Sequence, residues 1–319
     1  MLKKLSFTLV CAALLCACQN KPKNTENYAW GFITITTDES FTPIIDTQIM
    51  VFESIYPNAN IHLIDTTEVA AIDMLVKDSV RLTIATRRLH EHEKAQLKEK
   101  KLFAQETKIA LDAIALIINP ENNDSLMSIS TFREILNGSI TKWQDINPNS
   151  KLGDIRVVFD NPRSSTVRYA VDSILRGGSK LAANVYAQEN NAEVVEFVSR
   201  NPSSIGVIGV NWIENPNDTT NLSFNDRVRV MAMSNYANAT PDNSFKPFQA
   251  YIVGFSDENG GWNKYPMTRE VYMLNTDPGM KLPTGFVNFV ASDRGQRIIL
   301  KSGLVPAIVN QIRLISVKE

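Results

Sequence analysis

Three short apolar runs near the start of the chain, Phe32 to Thr36, Asn60 to Ile64 and Arg81 to Thr86, are separated by stretches of helical period. In the first gap Ile45, Ile49, Phe52 and Tyr56 recur on one helical face, and in the second Val69, Ile72, Leu75 and Val76 do so. Strands joined by helices imply parallel pairing, because a parallel partner is reached only through a crossover. The fold class is therefore α/β, and a ligand belongs beyond the carboxyl ends of the strands. Each run leads there into a polar turn: Thr37-Asp38-Glu39-Ser40-Phe41, Asp65-Thr66-Thr67-Glu68 and Thr86-Arg87-Arg88. A helix cap needs one acceptor; several such turns at equivalent ends predict a shared polar cleft. Leu111 to Ile118 is nearly all apolar, as expected of a central strand buried on both faces.

A second constellation lies at Asn161-Pro162-Arg163-Ser164-Ser165-Thr166-Val167-Arg168-Tyr169. It follows a strand-like run, Ile155 to Phe159, and opens a helix with Val167, Ala170, Val171, Ile174 and Leu175 on one face, ended by Gly177-Gly178. Three hydroxyls therefore crowd a helix start, where free N–H groups and a partial positive charge already favour anions. With Arg163 beside them they suit a tetrahedral oxyanion such as phosphate. The plainer reading is that one serine is an N-cap.

The first residues concern location. Met1-Leu2-Lys3-Lys4 is basic, and Leu5 to Ala17 is an apolar run too short to span a bilayer. It ends in Leu15-Cys16-Ala17-Cys18, which resembles a bacterial lipobox. That resemblance implies a signal peptide over 1–17, lipid on Cys18 and a polar tether over 18–27. Cys11, Cys16 and Cys18 are the only cysteines, so the mature domain is expected to hold no disulfide. With 33 basic and 34 acidic residues the chain has no basic field for nucleic acid. Of the three histidines, His62 is expected to pack in a strand, and His90 and His92 lie in a charged helical run where a zinc pair lacks an obvious third ligand.

Ser128 to Gly138 reads as a helix capped by Ser130 and stopped at Asn137-Gly138. Its continuation, Phe132-Arg133-Glu134-Ile135-Leu136-Asn137-Gly138-Ser139-Ile140-Thr141-Lys142-Trp143, resembles a segment of the phosphate-binding subunits of bacterial ABC transporters. The Arg163 to Thr166 loop and Ser204-Ile205-Gly206 match that family's phosphate loop and a later strand in position, and the likeness extends over nearly all of the mature chain. The resemblance implies a two-lobed periplasmic-binding-protein fold, each lobe a mixed sheet flanked by helices, with the ligand in the cleft between lobes. Lobe one would combine 28–114 and 248–319, and lobe two would be 115–247. Carried over residue by residue, the phosphate site is Ser40 with the Phe41 amide, Thr66, Thr67, Thr86 with Arg87, and Ser164, Ser165 and Thr166, with Arg163 nearby. No catalytic residue, metal or cofactor is implied. The expected partners are phosphate or a similar oxyanion and an inner-membrane ABC permease, with the protein a periplasmic, lipid-anchored monomer.

Three departures from the pattern bear on specificity. Ser165 stands where the family has glycine, and Asp160 stands where it has the arginine four residues before the loop serine. The turn at Thr86-Arg87-Arg88 lacks the family's aspartate, leaving Asp38, Glu39, Asp65, Glu68 or Asp160 to accept a ligand proton. The charge-balancing arginine is then Arg163, Arg87 or Arg168. Other readings are a binding protein for another oxyanion or a small organic phosphate, a phosphate-sensing lipoprotein, or a phosphatase.

Overall fold

The structure, a computed structural model, describes residues 26–213, 226–256 and 262–307. The signal segment and Cys18 lie outside the described residues. Strand β1 (Gly31–Asp38) pairs in parallel with β2 (Ala59–Thr66) and β3 (Leu82–Ala85). Helix Thr42–Ile55 links the first two, and helix Glu68–Val76 links β2 to β3. Next come β4 (Gln105–Ile118), β5 (Leu126–Ser128), β6 (Arg156–Phe159), β7 (Val185–Ala187) and β8 (Ser204–Gly209). The short strands β9 (Arg229–Val230), β10 (Ala232–Ser234), β11 (Ser244–Phe245), β12 (Phe255–Ser256) and β13 (Trp262–Asn263) precede β14 (Thr268–Asn275) and β15 (Val305–Pro306).

Strand β4 joins the two halves of the molecule. From Gln105 to Ala113 it pairs antiparallel with β14, and from Ile114 to Ile118 with β8. It also pairs β15 at Ala110 and Leu111 and β9 at Ile117 and Ile118. One side of the molecule is thus the sheet of β2, β1, β3, β14 and β4, and the other is that of β4, β8, β6 and β7. The architecture is mixed α/β and two-lobed, with helices against both sheets. The unbroken apolar run at Ala113 to Ile118 is explained by this position, since every one of those side chains is buried.

Packing fixes where the sheets meet the helices. A Cβ on Gly206 would stand 2.7 Å from an Ile117 side-chain carbon and 2.8 Å from one of Val194. Bare backbone there lets helix Asn191–Arg200 lie directly on the sheet. Across the molecule Phe52 meets Phe286 and Phe289 at centroid distances of 5.4 and 5.3 Å. Phe286, Val287, Phe289 and Val290 belong to the core by that contact and their burial.

Register places the site. Asp38 pairs with Thr66 at the carboxyl ends of β1 and β2, and β3 ends beside them. Strands β6, β7 and β8 are also parallel, so Phe159 aligns with Ala187 and Val207. The polar residues that follow these ends meet in the cleft.

Three local expectations are corrected. The helix after β5 is capped by Ser128, whose hydroxyl accepts from the Thr131 N–H at 3.0 Å, and Ser130 lies inside its first turn. The helix after Ser164 is α-helical only over Ser165–Tyr169 and widens to a π-turn over Ala170–Ile174. His62 is exposed rather than packed, because side chains alternate along β2 and Ala59 and Ile61 take its buried face.

Candidate functional site

The centre of the cleft is a carboxylate, Asp38, at the end of β1 and 1% exposed. Its Oδ1 accepts the Ser40 N–H at 3.1 Å, capping the short turn Glu39–Phe41. Its Oδ2 accepts the Glu68 N–H at 3.1 Å, the first amide of the helix after β2. From the other half of the molecule the Ser165 N–H reaches Oδ2 at 3.1 Å and the Ser165 hydroxyl reaches Oδ1 at 3.0 Å. These N–H groups are the orphan donors that helix starts leave unsatisfied. Three separate chain segments therefore aim donors at one oxyanion position.

Two arginines flank that position. Arg269 of β14 is buried; its Nη1 donates to the Ser165 hydroxyl at 2.7 Å and its Nε to Asp112 at 2.7 Å. Its guanidinium lies 5.2 Å from the centroid of the Phe41 ring. Arg168 donates from Nε to Glu68 at 2.5 Å and from Nη2 to the Thr86 hydroxyl at 2.6 Å. Glu68 in turn accepts the Thr86 N–H at 2.5 Å and its hydroxyl at 2.8 Å.

Each residue of the expected site has a definite place. Ser40, Thr86, Ser164, Ser165 and Thr166 fall into one buried network. In it the Ser164 hydroxyl donates to Asp160 at 2.7 Å, and the Thr166 hydroxyl donates to the same oxygen. Phe41 is buried under Arg269. Thr66 and Thr67 line the adjoining cavity, with the Thr67 hydroxyl capping Ala70. Two residues fall outside. The Arg87 guanidinium is held by Glu93 at 2.7 and 2.8 Å, and Arg163 is exposed. The guanidiniums beside the donors are those of Arg168 and Arg269. Trp212 donates through its indole to the Ser40 carbonyl at 3.1 Å. His90 and His92 stack at 5.6 Å on an exposed helix start, and no three His, Cys, Asp or Glu among the described residues are grouped to hold a metal ion.

The surroundings are strongly acidic. A cavity of about 380 Å³ opens beside Asp38 and Asp160 and is also lined by Glu39, Asp65 and Glu189, with no basic side chain in its wall. Burial pushes the Asp38 carboxyl above the usual range, Asp160 and Glu68 push it further, and Arg269 opposes them. Burial raises Glu39 to about 7, against the hydrogen bond it takes from Asn191 at 2.5 Å. Burial works the same way on Glu68, but Arg168 and the Thr86 donors overcome it and hold the group below its ordinary value. A carboxyl raised by folding adds stability below its unfolded value and loses it as pH rises through the folded one. For Glu39 that window runs from its ordinary value of 4.5 to about 7. The melting temperature is therefore expected to fall over that interval, from pH 4.5 to about pH 7, by the equivalent of about 1 kcal/mol once solvent screening is allowed for. Glu39→Gln should flatten that slope in a pH series of thermal melts; an unchanged slope refutes the assignment.

Known proteins agree with this geometry at the level of the fold. A family model described as the PBP superfamily domain matches residues 20–294, and the chain belongs to that superfamily. It is 25% identical over 293 residues to the phosphate-binding protein PstS of Borreliella burgdorferi, covering 89% of this chain and 92% of that one. It is 22% identical over 232 residues to PstS of Staphylococcus saprophyticus, covering 70% and 64%. Among solved structures, it resembles a protein assigned as a phosphate ABC transporter substrate-binding protein from Clostridium perfringens, with bound phosphate, at a TM-score of 0.68 and 20% identity, covering 87% of this chain and 100% of that one. An ABC-type phosphate transport receptor from Vibrio cholerae superposes at 0.62 with 20% identity, covering 86% and 99%.

Proposed function

We propose that this protein is a non-catalytic, extracytoplasmic binding protein that captures inorganic phosphate and presents it to an ABC permease. One observation carries the reading. Main-chain donors from three chain segments, joined by the Ser165 hydroxyl, converge on a single oxyanion position between the two sheets. Donors of this kind hold an oxyanion without reacting with it. The relatives named as phosphate-binding proteins support phosphate as that oxyanion. The lobes are 28–114 with 248–319, and 115–247, and the change of partner along β4 supports the first crossing. The ligand is held by Ser40, the Phe41 amide, Thr66, Thr67, Thr86 and the Ser164 to Thr166 loop, with Arg168 and Arg269 balancing charge. Asp160 favours a protonated oxyanion, because a fully ionised one brings no proton to share with a carboxylate. Cys18 carries the lipid anchor, and the protein works as a monomer.

Calorimetric titration of the mature domain with phosphate is expected to show one site. The absence of both heat and thermal stabilisation by phosphate across pH 5–8 would refute the assignment.

The acidic cavity favours a second reading: a small organic phosphate or phosphonate bearing an ammonium group, its oxyanion at the amide donors and its cation against Glu39, Asp65 and Glu189. A thermal-shift panel of phosphate, sulfate, molybdate, methylphosphonate and an aminoalkyl phosphonate separates the two. Selective stabilisation by the aminoalkyl compound would replace inorganic phosphate as the ligand.

A further inference from the structure

We infer that the Asp38 side chain is a resident competitor for the oxyanion donors: a ligand gains them only as Asp38 gives them up. The inference rests on reading the cleft as an oxyanion site. An ionised carboxylate has about four acceptor positions. Those of Asp38 are matched by four donors: the Ser40, Glu68 and Ser165 amides and the Ser165 hydroxyl. Two anionic groups cannot share these N–H groups at hydrogen-bond distance. An incoming oxyanion and the carboxylate are therefore alternatives at the same atoms.

The site also holds more donor capacity than Asp38 uses. The Ser40 hydroxyl and Arg269 Nη2 are buried and have no hydrogen-bond partner. A tetrahedral anion has more acceptor corners than a carboxylate and is able to engage both. Buried donors without partners are costly, so their presence here points to an occupant larger than the side chain.

The groups facing Asp38 set the terms of the exchange. Asp160 and Glu68 repel its charge and Arg269 attracts it. Behind these, Glu68 is tied to Arg168 and Arg269 to Asp112. A displaced Asp38 that stays ionised keeps its charge beside the ligand, and this penalises the more highly charged anion. The discrimination thus comes from a charge that must yield, whereas an acceptor that merely takes a ligand proton would be needed for tight binding. The two roles predict opposite effects when the carboxylate is removed.

The test is Asp38→Ala in the mature domain, titrated with phosphate and with sulfate, with formate as a probe of the vacated position. The variant is expected to bind phosphate at least about tenfold more tightly than the parent and to gain sulfate binding that the parent lacks. Formate should raise its melting temperature and leave the parent unchanged. Weaker or unchanged phosphate binding with no gain for sulfate overturns the inference. If the alanine variant does not fold, Asp38→Asn, which keeps shape and loses charge, must show the gain for sulfate or the inference fails. A parent that ignores phosphate beside a variant that binds it leaves the inference standing and ends the phosphate reading. A parent that binds phosphate beside a variant that does not keeps the phosphate reading and ends the inference.

Discussion

Arg269→Met is expected to lower stability by about 3–5 kcal/mol, read as a lower urea midpoint at unchanged slope. The arginine is buried in β14, and three neighbours depend on it. Asp112 receives its Nε at 2.7 Å, the Ser165 hydroxyl receives Nη1 at 2.7 Å, and the Phe41 ring lies 5.2 Å below the guanidinium. Methionine keeps much of the volume and leaves Asp112 as a buried charge without a partner. Burial already pushes Asp112 above its ordinary value, and the arginine is the main group that opposes the shift, ahead of the Ala113 N–H. In the variant only the Ala113 N–H is left to oppose it. Its stability should then be greatest below the unfolded aspartate value, about pH 4, and fall as pH rises through the folded one. Adding Asp112→Leu should recover most of the loss, since an apolar pair of similar volume often replaces a buried ion pair without cost. A single variant within about 1 kcal/mol of the parent would show that the pair does not matter for folding.

The same arginine marks the boundary of what the sequence makes legible. The alternation from Phe32 to Thr86 reveals the parallel half-sheet because each element is local and its period is carried by adjacent residues. The hydroxyl trio is legible for the same reason: Ser164 caps its own helix at Val167 and needs no distant information. Arg269 meets Ser165 across 104 positions, and Asp38 meets it across 127. No local pattern announces such contacts. Asp38 carried a weak signal, a carboxylate at a strand end facing the expected cleft, yet nothing in its neighbours says that it takes donors from three segments.

Arg87 is adjacent to Thr86 in the chain, but its guanidinium is engaged elsewhere. The turn after β3 commits its guanidinium to Glu93, which also accepts the His90 N–H at 2.7 Å. That pairing belongs to the start of helix Glu91–Glu99 and has a structural purpose. Arg163 is likewise one residue from the hydroxyls, but the helix start turns Ser164 and Ser165 inward and leaves Arg163 exposed. Arg168, one helical turn further on, shares the inward face with Ser164 and Ser165. Its partner Glu68 lies 100 positions away. Proximity along the chain does not tell Arg163 from Arg168; the helical period decides which of the two points inward.

Arg168→Met is the second substitution with a large expected effect, and it tests the join between the halves of the cleft. Arg168 follows β6, whereas Glu68 and Thr86 follow β2 and β3. The contact at 2.5 Å to Glu68 and 2.6 Å to the Thr86 hydroxyl therefore ties one sheet to the other. Glu68 is 1% exposed, so losing the guanidinium strands a buried carboxylate near Asp38. A charged hydrogen bond of this kind is worth about 2–3 kcal/mol, and the partly exposed arginine places the loss in that range rather than higher. The pH dependence should change sign. In the parent, Glu68 is held below its ordinary value of 4.5, so it adds stability above that pH and loses it as pH falls through the folded value. In the variant only the Thr86 N–H and hydroxyl remain against burial, so the carboxyl is expected to rise and stability to be lost as pH rises. Arg168→Lys should restore little, because one ammonium cannot reach Glu68 and Thr86 with the geometry of a planar fork. Hydrogen exchange at the Thr86 amide, which is bonded to Glu68, reports the join directly. Faster exchange there in Arg168→Met than in the parent, with the amides of β4 unchanged, is the result expected of a cleft that has lost its tie. Uniform acceleration across both sheets would mean that Arg168 supports the whole fold and has no special part in joining the two sheets.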